Sequence, residues 1–260
     1  MPIIKRALLI ACPGQIGTST YLKGVSIDVS NYRTFLTSPQ GGVWDGRDVE
    51  NGGEIKILNA PSVEQVRLWI ADFCKYEYML VMFTGHGWYS SVDRDRILEL
   101  TKGENIASQE LLRGTKKRTV ILDCCQKVHQ ESLIRKRAQL EAFSHAAAIR
   151  TPNKEACRVL FNQQIESAGA GFVRMLSCQI DEYSYISDST GSFYNSSLID
   201  CADGWAAQQA RNYWGGNAVF SVADAHAPAK SETSNRSGGL QNPDIEYNKT
   251  GPIFPFAVFA

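Results

Sequence analysis

The sequence has no excess of charge of either sign and no long apolar run. Lysine plus arginine and aspartate plus glutamate number 27 each among 260 residues, so the formal net charge is zero. A balanced chain without a long basic run gives no electrostatic reason to bind nucleic acid or an anionic membrane. The longest apolar runs, such as Met79–Phe83, are far too short to span a bilayer. We therefore expect neither nucleic acid nor a membrane as a partner.

Cysteine is sparse and forms no disulfide framework. The seven cysteines are an odd number at low density, and several stand in apolar segments where a free thiol packs as a small hydrophobic group. This usage predicts a reducing compartment, the cytoplasm. The sequence has no Cys-x-x-Cys, no His-Glu-x-x-His, no calcium loop of the EF-hand type and no Gly-Lys-Ser/Thr phosphate loop. We therefore expect no metal and no organic cofactor.

Apolar strand patterns alternate with helical patterns along the chain. The run Ala7–Cys12 is shorter than the core of a signal peptide and ends in Pro-Gly, which favours a first strand. Ser62 and Gln65 have the spacing of a capping box, and apolar residues follow at helical spacing. This alternation predicts an α/β fold with a mainly parallel sheet and helices on both faces. The predicted strands are 7–12, 54–58, 78–84, 118–122 and 172–178, and the predicted helices are 24–35, 62–73, 107–113 and 191–214.

The composition predicts one domain over residues 1–260. Residues 126–170 are polar and charged, which indicates a helix plus an exposed linker. Residues 227–251 are rich in serine, asparagine, glycine, lysine and proline, which predicts a long surface loop. The apolar run 253–259 should pack back onto the body of the domain.

Two neighbouring strand ends carry residues suited to covalent catalysis. His86 stands between two glycines after one predicted strand, and Cys124 and Cys125 follow Asp123 after the next. A cysteine attacks as its thiolate, and a neutral histidine can accept its proton. Because open parallel sheets bind ligands beyond the carboxyl ends of their strands, these groups should meet there. The amide N–H of Gly87 is a candidate oxyanion donor. The alternative is that the histidine is a turn residue and the cysteines only pack in the core.

This arrangement resembles the caspase and metacaspase superfamily of cysteine peptidases, peptidase family C14, in particular its bacterial members. In that family one strand ends in Ser/Gly-His-Gly with the catalytic histidine, and the next ends in Asp-x-Cys or Gln-Ala-Cys with the nucleophile. Phe83–Gly87 and Val120–Cys125 match these elements. The resemblance implies an α/β/α sandwich, with His86 as general base, Cys125 as nucleophile and Cys124 at the variable position.

The resemblance covers most of the chain and has departures. It implies a large-subunit-like part at 1–125, an inter-subunit linker at 126–170 and a small-subunit-like part at 171–260. The segment Tyr21–Val25 with Asp28 resembles the family's first helix, and Gly191-Ser192-Phe193 resembles a helix of the small subunit. The histidine and cysteine are 39 residues apart, whereas caspases have about 50 between them. Gln126 and the residues after it lack the glycine that the family often has there.

The resemblance also implies a substrate specificity. Metacaspase-like members hold arginine or lysine with the aspartate of Asp-x-Cys and with a second acidic residue shortly after the first small-subunit strand. Asp123 and Asp181 stand at or near these positions, and two carboxylates favour arginine because it can be held bidentately. Glu182 and Asp188 are alternatives for the second carboxylate. Arg33 could instead bind an acidic side chain, which is the specificity of caspases proper.

A basic specificity suggests self-processing and a regulated role. The candidate processing residues Arg135, Lys136, Arg137 and Arg150 lie between the nucleophile and the next core strand. The expected partners are protein or peptide substrates and an activating protein or upstream protease. By family analogy, the chain is expected to act as an effector in bacterial stress or anti-phage defence. The alternative is a catalytically inactive caspase-like module that only binds a partner protein.

Overall fold

The computed structural model describes residues 3–101, 103–124, 150–212, 215–248 and 254–260. The predicted nucleophile Cys125 lies outside these described residues, and so do the candidate processing residues Arg135, Lys136 and Arg137. None of the helices within these ranges is long and apolar enough to cross a membrane.

A six-stranded sheet organises the fold. The strands, in chain order, are β1 (Lys5–Cys12), β2 (Ile55–Asn59), β3 (Tyr78–Gly85), β4 (Gly87–Ser90), β5 (Asp95–Glu99), β6 (Asn105–Ala107), β7 (Lys117–Cys124), β8 (Gly171–Leu176), β9 (Ile186–Ser187), β10 (Gly191–Ser192), β11 (Ala218–Ser221), β12 (Asp244–Tyr247) and β13 (Pro255–Phe259). The main sheet has the order β2-β1-β3-β7-β8-β12. Its first five strands are parallel, and β12 pairs antiparallel with β8. The remaining strands form small antiparallel sheets around it.

Helices cover both faces of this sheet. They are α1 (Gly24–Thr37), α2 (Val63–Phe73), α3 (Ser108–Leu111), α4 (Lys154–Ser167), α5 (Phe193–Arg211) and α6 (Val222–Ser237). One apolar core joins α1, α4, α5 and α6 to one face of the sheet, and a second core joins α2 and α3 to the other. The predicted fold class, an α/β/α sandwich with a mainly parallel sheet, is confirmed.

The central strand β3 positions the site. All eight of its residues are buried, because β1 and β7 flank it and helices cover both of its faces. Side chains alternate along the strand, so Met82 belongs to the core under α1 while Phe83 belongs to the core under α2. The register pairs Cys12 with Gly85 and Gly85 with Cys124. The carboxyl ends of three neighbouring strands therefore lie at one edge of the sheet.

The predicted long loop at 227–251 is wrong. Helix α6 occupies Val222–Ser237, and strand β12 follows at Asp244–Tyr247. A capping box between Ser221 and Asp224 begins the helix, and Gly238 ends it in the left-handed region at φ 67°. The helix packs closely against the core, since Ala225 and Ala229 are fully buried.

The stretch 126–170 was predicted to contain a helix and an exposed linker, and its described part contains a helix. Within it, α4 begins at an asparagine cap, Asn153, whose side chain accepts the backbone N–H of Ala156. Its residues Cys157, Phe161 and Ile165 are buried in the core of the sheet face that α1 covers. Residues 154–167 therefore belong to the body of the domain.

Candidate active site

His86 follows the end of β3, and its contacts indicate which ring nitrogen carries the proton. The backbone of Gly85 lies so close to β1 that a Cβ there would stand 2.3 Å from the carbonyl oxygen of Cys12, so only glycine fits. The next residue, His86, is half-buried, with its Nε2 atom 2.7 Å from the carbonyl oxygen of Thr20. A carbonyl only accepts, so Nε2 carries the proton and donates it in this contact. Nδ1 is then the basic nitrogen of the neutral ring.

The loop between β1 and α1 holds this ring from one side. Gly14, at φ +82°, approaches His86 so closely that a Cβ there would lie 3.1 Å from Nε2. The same loop supplies the carbonyl of Thr20 and closes on itself through Leu22 N–H, which donates to Pro13 O at 2.8 Å. The glycine and the carbonyl together fix the position of the imidazole.

Gly87 lies directly against the end of the neighbouring strand. It begins β4, and a Cβ at this position would be 3.0 Å from Sγ of Cys124. Cys124 itself is only 3% exposed, so its thiol faces the protein interior. The structure thus brings the predicted oxyanion donor next to the residue that precedes Cys125 in the chain. The role of the Gly87 N–H stays a prediction.

A second aspartate joins Asp123 in the interior. Asp28 of α1 and Asp123 of β7 are 1% and 4% exposed. Burial, followed by the negative charge of Asp123, raises the pKa of Asp28 to about 7. Burial also raises the pKa of Asp123, against several hydrogen bonds that favour its charged form. Among the described residues, neither carboxylate forms an ion pair within 4 Å.

Hydroxyl and amide donors of the chain surround these two carboxylates. Asp28 accepts the Thr84 hydroxyl at 2.7 Å and the Ser192 backbone N–H at 2.8 Å. Asp123 accepts the Ser184 hydroxyl at 2.6 Å and the Ser192 hydroxyl. We call these five residues, Asp28, Thr84, Asp123, Ser184 and Ser192, the carboxylate chamber. Its walls come from both halves of the chain.

Gln241 forms hydrogen bonds with the loop that carries Ser184 into the chamber. Its Nε2 donates to Ser177 O at 2.8 Å, and its Oε1 accepts the Tyr185 N–H at 3.0 Å. The side chain is fully buried between α6 and β12. These hydrogen bonds join the loop after β8 to the segment that follows α6.

The other predicted pocket residues lie elsewhere. Asp181 is exposed on the turn after β8, in the left-handed region at φ 70°. Glu182 accepts both the N–H and the side-chain amide of Asn242. Asp188 forms an exposed ion pair with Lys23 at 3.4 Å. The structure thus brings Asp28, not these residues, next to Asp123.

Two basic residues from the sequence analysis are also placed by the structure. The Arg33 guanidinium donates to the carbonyl of Gly46 at 3.1 Å and is not part of the carboxylate chamber. Arg150, a candidate processing residue, donates its backbone N–H to Ala210 O at 2.9 Å and stacks its guanidinium on Phe259 at 4.9 Å. Cleavage after Arg150 would require this contact to open.

The comparisons with known proteins agree with this geometry. The fold and the histidine at the strand end define a caspase-like α/β protein, and the caspase-domain model of peptidase family C14 matches residues 4–251. The chain therefore belongs to that family of cysteine peptidases. A solved structure, caspase-1 from Spodoptera frugiperda, superposes with a TM-score of 0.55 at 13% identity, covering 94% of this chain and 86% of that chain. No curated protein matches the sequence.

No metal-binding cluster stands out in the part of the chain that the structure describes. Within those ranges no group of three or more histidine, cysteine, aspartate or glutamate side chains could hold an ion. The prediction that the chain needs neither metal nor organic cofactor is not tested by this observation.

Proposed function

We propose that the chain is a cysteine endopeptidase that cleaves protein and peptide substrates after arginine or lysine, with arginine preferred. The observation that carries the specificity is the pair of buried carboxylates, Asp28 and Asp123, that has no cationic partner among the described residues. Burial raises the pKa of both carboxyl groups, and the negative charge of Asp123 raises the pKa of Asp28 further. A guanidinium or ammonium from a substrate would stabilise the charged form of both groups.

The location of the chamber supports the same proposal. Thr84 lies at the carboxyl end of β3, just before His86, and Asp123 lies at the carboxyl end of β7, two residues before Cys125 in the sequence. A peptide whose scissile carbonyl lies at this edge of the sheet would have the carboxylate chamber within reach of a long basic side chain.

The chemistry follows from the placement of His86. Its Nδ1 takes the proton of the Cys125 thiol, and the thiolate attacks the carbonyl carbon of the scissile bond. The imidazolium then gives that proton to the leaving amine as the C–N bond breaks, which leaves a thioester on the sulfur. Water, deprotonated by the same nitrogen, hydrolyses the thioester. The Thr20 carbonyl keeps Nε2 protonated throughout and so keeps Nδ1 available.

A peptide library that varies the residue before the scissile bond, the P1 residue, tests the proposed function. We expect wild-type protein to cleave after arginine, less after lysine and not measurably after aspartate, and Cys125→Ala to cleave nothing. Cleavage after aspartate would support a caspase-like acidic specificity instead. Binding of basic peptides without cleavage by the wild type would support an inactive interaction module.

Self-processing is a separate part of the proposal and has its own measurement. Cleavage between residues 126 and 149 would give two fragments in wild-type protein and one intact mass in Cys125→Ala, measured by mass spectrometry. Full activity of an intact wild-type chain would reject processing as a requirement. An effector role in bacterial stress or anti-phage defence rests on family analogy alone.

The loop that positions His86 gives a matched pair of glycine variants. Gly14 and Gly17 have nearly the same φ, +82° and +83°, so alanine costs similar backbone strain at both, about 1–2 kcal/mol. Only at Gly14 would the new Cβ press on the His86 ring; at Gly17 it meets nothing within 4 Å. We expect Gly14→Ala to lower kcat about tenfold and Gly17→Ala to leave it within twofold, measured with an arginyl peptide. Equal kcat values for the two variants would contradict this role of Gly14.

A further inference from the structure

Two side chains beside the carboxylate chamber hold buried polar atoms without partners. Tyr32 is fully buried, and Asn195 is 1% exposed. The hydroxyl of Tyr32 and both Nδ2 and Oδ1 of Asn195 lack a hydrogen-bond partner among the described residues. Leaving such a group unsatisfied costs on the order of 1–3 kcal/mol. Buried polar groups are nearly always paired, so these three unpaired atoms are candidate contacts for a ligand.

Both side chains belong to the surroundings of Asp28. Tyr32 follows Asp28 by four residues on α1, so the two side chains share one face of that helix. Burial and then the charges of Asp123 and Asp28 raise the pKa of Tyr32 well above its usual value. Asn195, in the first turn of α5, lies near enough to lower the pKa of Asp28, although it forms no hydrogen bond of full quality.

The number of carboxylate lone pairs that remain free in the chamber can be compared with the number of N–H groups on a lysine or an arginine side chain. Each carboxylate offers about four lone pairs, and each of the four carboxylate oxygens already accepts one donor from the chain. About four lone pairs remain, which is enough for the three N–H groups of an ammonium. A guanidinium has five N–H groups in a rigid plane, so it needs at least one further acceptor. The hydroxyl oxygen of Tyr32 and Oδ1 of Asn195 are unoccupied acceptors beside the chamber.

We propose that Tyr32 and Asn195 are specificity residues that favour arginine over lysine at the P1 position. The proposal rests on the proposed cleavage after arginine or lysine, and it names the side chains that would distinguish these two residues. The carboxylates attract either cation, whereas the two neutral acceptors are needed only by the larger number of donors on a guanidinium. Removing them therefore weakens arginine recognition and leaves lysine recognition nearly unchanged.

The ratio of kcat/KM for an arginyl and a lysyl peptide of otherwise identical sequence tests this. We expect Tyr32→Phe and Asn195→Ala each to lower the ratio about tenfold, through loss of arginine cleavage. Thr233→Val is the matched control, because the Thr233 hydroxyl is also buried and unpartnered among the described residues but lies on α6. We expect that variant to keep the wild-type ratio.

The outcomes separate this inference from the proposed function. If wild-type protein cleaves neither peptide, the proposed function fails and the inference fails with it. If wild-type protein cleaves after arginine and both variants keep its ratio, only the inference is overturned. An equal loss for both peptides also overturns it, since that would show a structural role. Thermal unfolding of each variant confirms that the compared proteins are folded.

Discussion

Replacing His86 by alanine is expected to lower kcat/KM for an arginyl peptide by about 100- to 10,000-fold, the usual contribution of a general base. Nδ1 of His86 is the nitrogen that the Thr20 carbonyl leaves free to take the thiol proton. Replacing Cys125 by alanine is expected to reduce cleavage to background. Both rates are measured with a fluorogenic arginyl peptide.

Two other cysteines provide the controls for this prediction. Cys124→Ala should retain most of the activity, because the Cys124 thiol is buried against Gly87. Cys74 is exposed and serves as a reference for ordinary thiol reactivity. Iodoacetamide should alkylate Cys125 faster than Cys74 in wild-type protein and no faster in His86→Ala. Loss of activity in Cys124→Ala with retention in Cys125→Ala would reverse the assignment of the nucleophile.

Replacing Asp28 by asparagine is expected to lower activity and to stabilise the fold at the same time. The substrate loses a charge-assisted hydrogen bond, so kcat/KM for an arginyl peptide should fall roughly 10- to 100-fold. The protein loses a buried, repelled charge, so its melting temperature should rise by a few degrees. Asparagine keeps an oxygen for the Ser192 N–H, and the Thr84 hydroxyl can rotate to accept from the new amide.

Asp203→Asn is the matched control for that variant. Burial raises the pKa of Asp203 too, and its carboxylate accepts a hydrogen bond from Gln40 at 3.0 Å outside the carboxylate chamber. Neutralising Asp203 should leave kcat/KM unchanged. A loss of arginine cleavage in Asp203→Asn equal to that in Asp28→Asn would contradict a specific role for Asp28.

The raised pKa of Asp28 predicts that the free energy of unfolding depends on pH. The pKa of Asp28 is about 7 in the folded chain and about 4 in the unfolded chain, so the folded state binds its proton more tightly. Its contribution to the free energy of unfolding is fully present below pH 4 and is lost as the pH rises through 7. The pKa of His226, lowered by burial to about 4, acts in the opposite direction over an overlapping range.

Urea unfolding at pH 5 and pH 8 isolates the contribution of Asp28. Because His226 is common to both proteins, the comparison of wild type with Asp28→Asn cancels its contribution. The stabilisation by the substitution should be larger at pH 8 than at pH 5. An equal stabilisation at both values would show that Asp28 does not carry the proposed repelled charge.

The positions of the catalytic candidates were predictable from local pattern. Continuous apolar runs identify strands that are covered on both faces, and parallel strands place their carboxyl ends at one edge. His86 was found in this way, because the strand before it is apolar at every position up to Thr84. The register of Gly85 with Cys12 and Cys124 then confirms the neighbouring strand ends.

The partner of Asp123 could not be predicted because it is set by tertiary packing. The sequence offered several acidic residues after β8, and only the packing of α1 on the sheet selects Asp28. One local signal was present: Asp28 lies at helical spacing from Val25 and Tyr32, on the buried face of α1. A carboxylate on an apolar helix face indicates a functional or paired charge.

The loop predicted at 227–251 failed for a different reason. Small polar residues and Pro228 are typical of loops, yet α6 forms because its ends are capped and its alanines pack against the core. Helix propensity is a weak predictor when tertiary packing supplies most of the stability. The sequence analysis also did not predict the small sheet of β4, β5 and β6 after His86, because strands of three to five residues give only a weak alternating pattern.

Covalent labelling with an arginyl peptide chloromethyl ketone tests the central claim most directly. Intact mass and peptide mapping would compare this reagent with its norleucine analogue, which has an uncharged side chain. The account predicts a single adduct, on Cys125, with the arginyl reagent only, its loss in His86→Ala and its slower formation in Asp28→Asn. Equal labelling by both reagents, or an adduct on another cysteine, would contradict it.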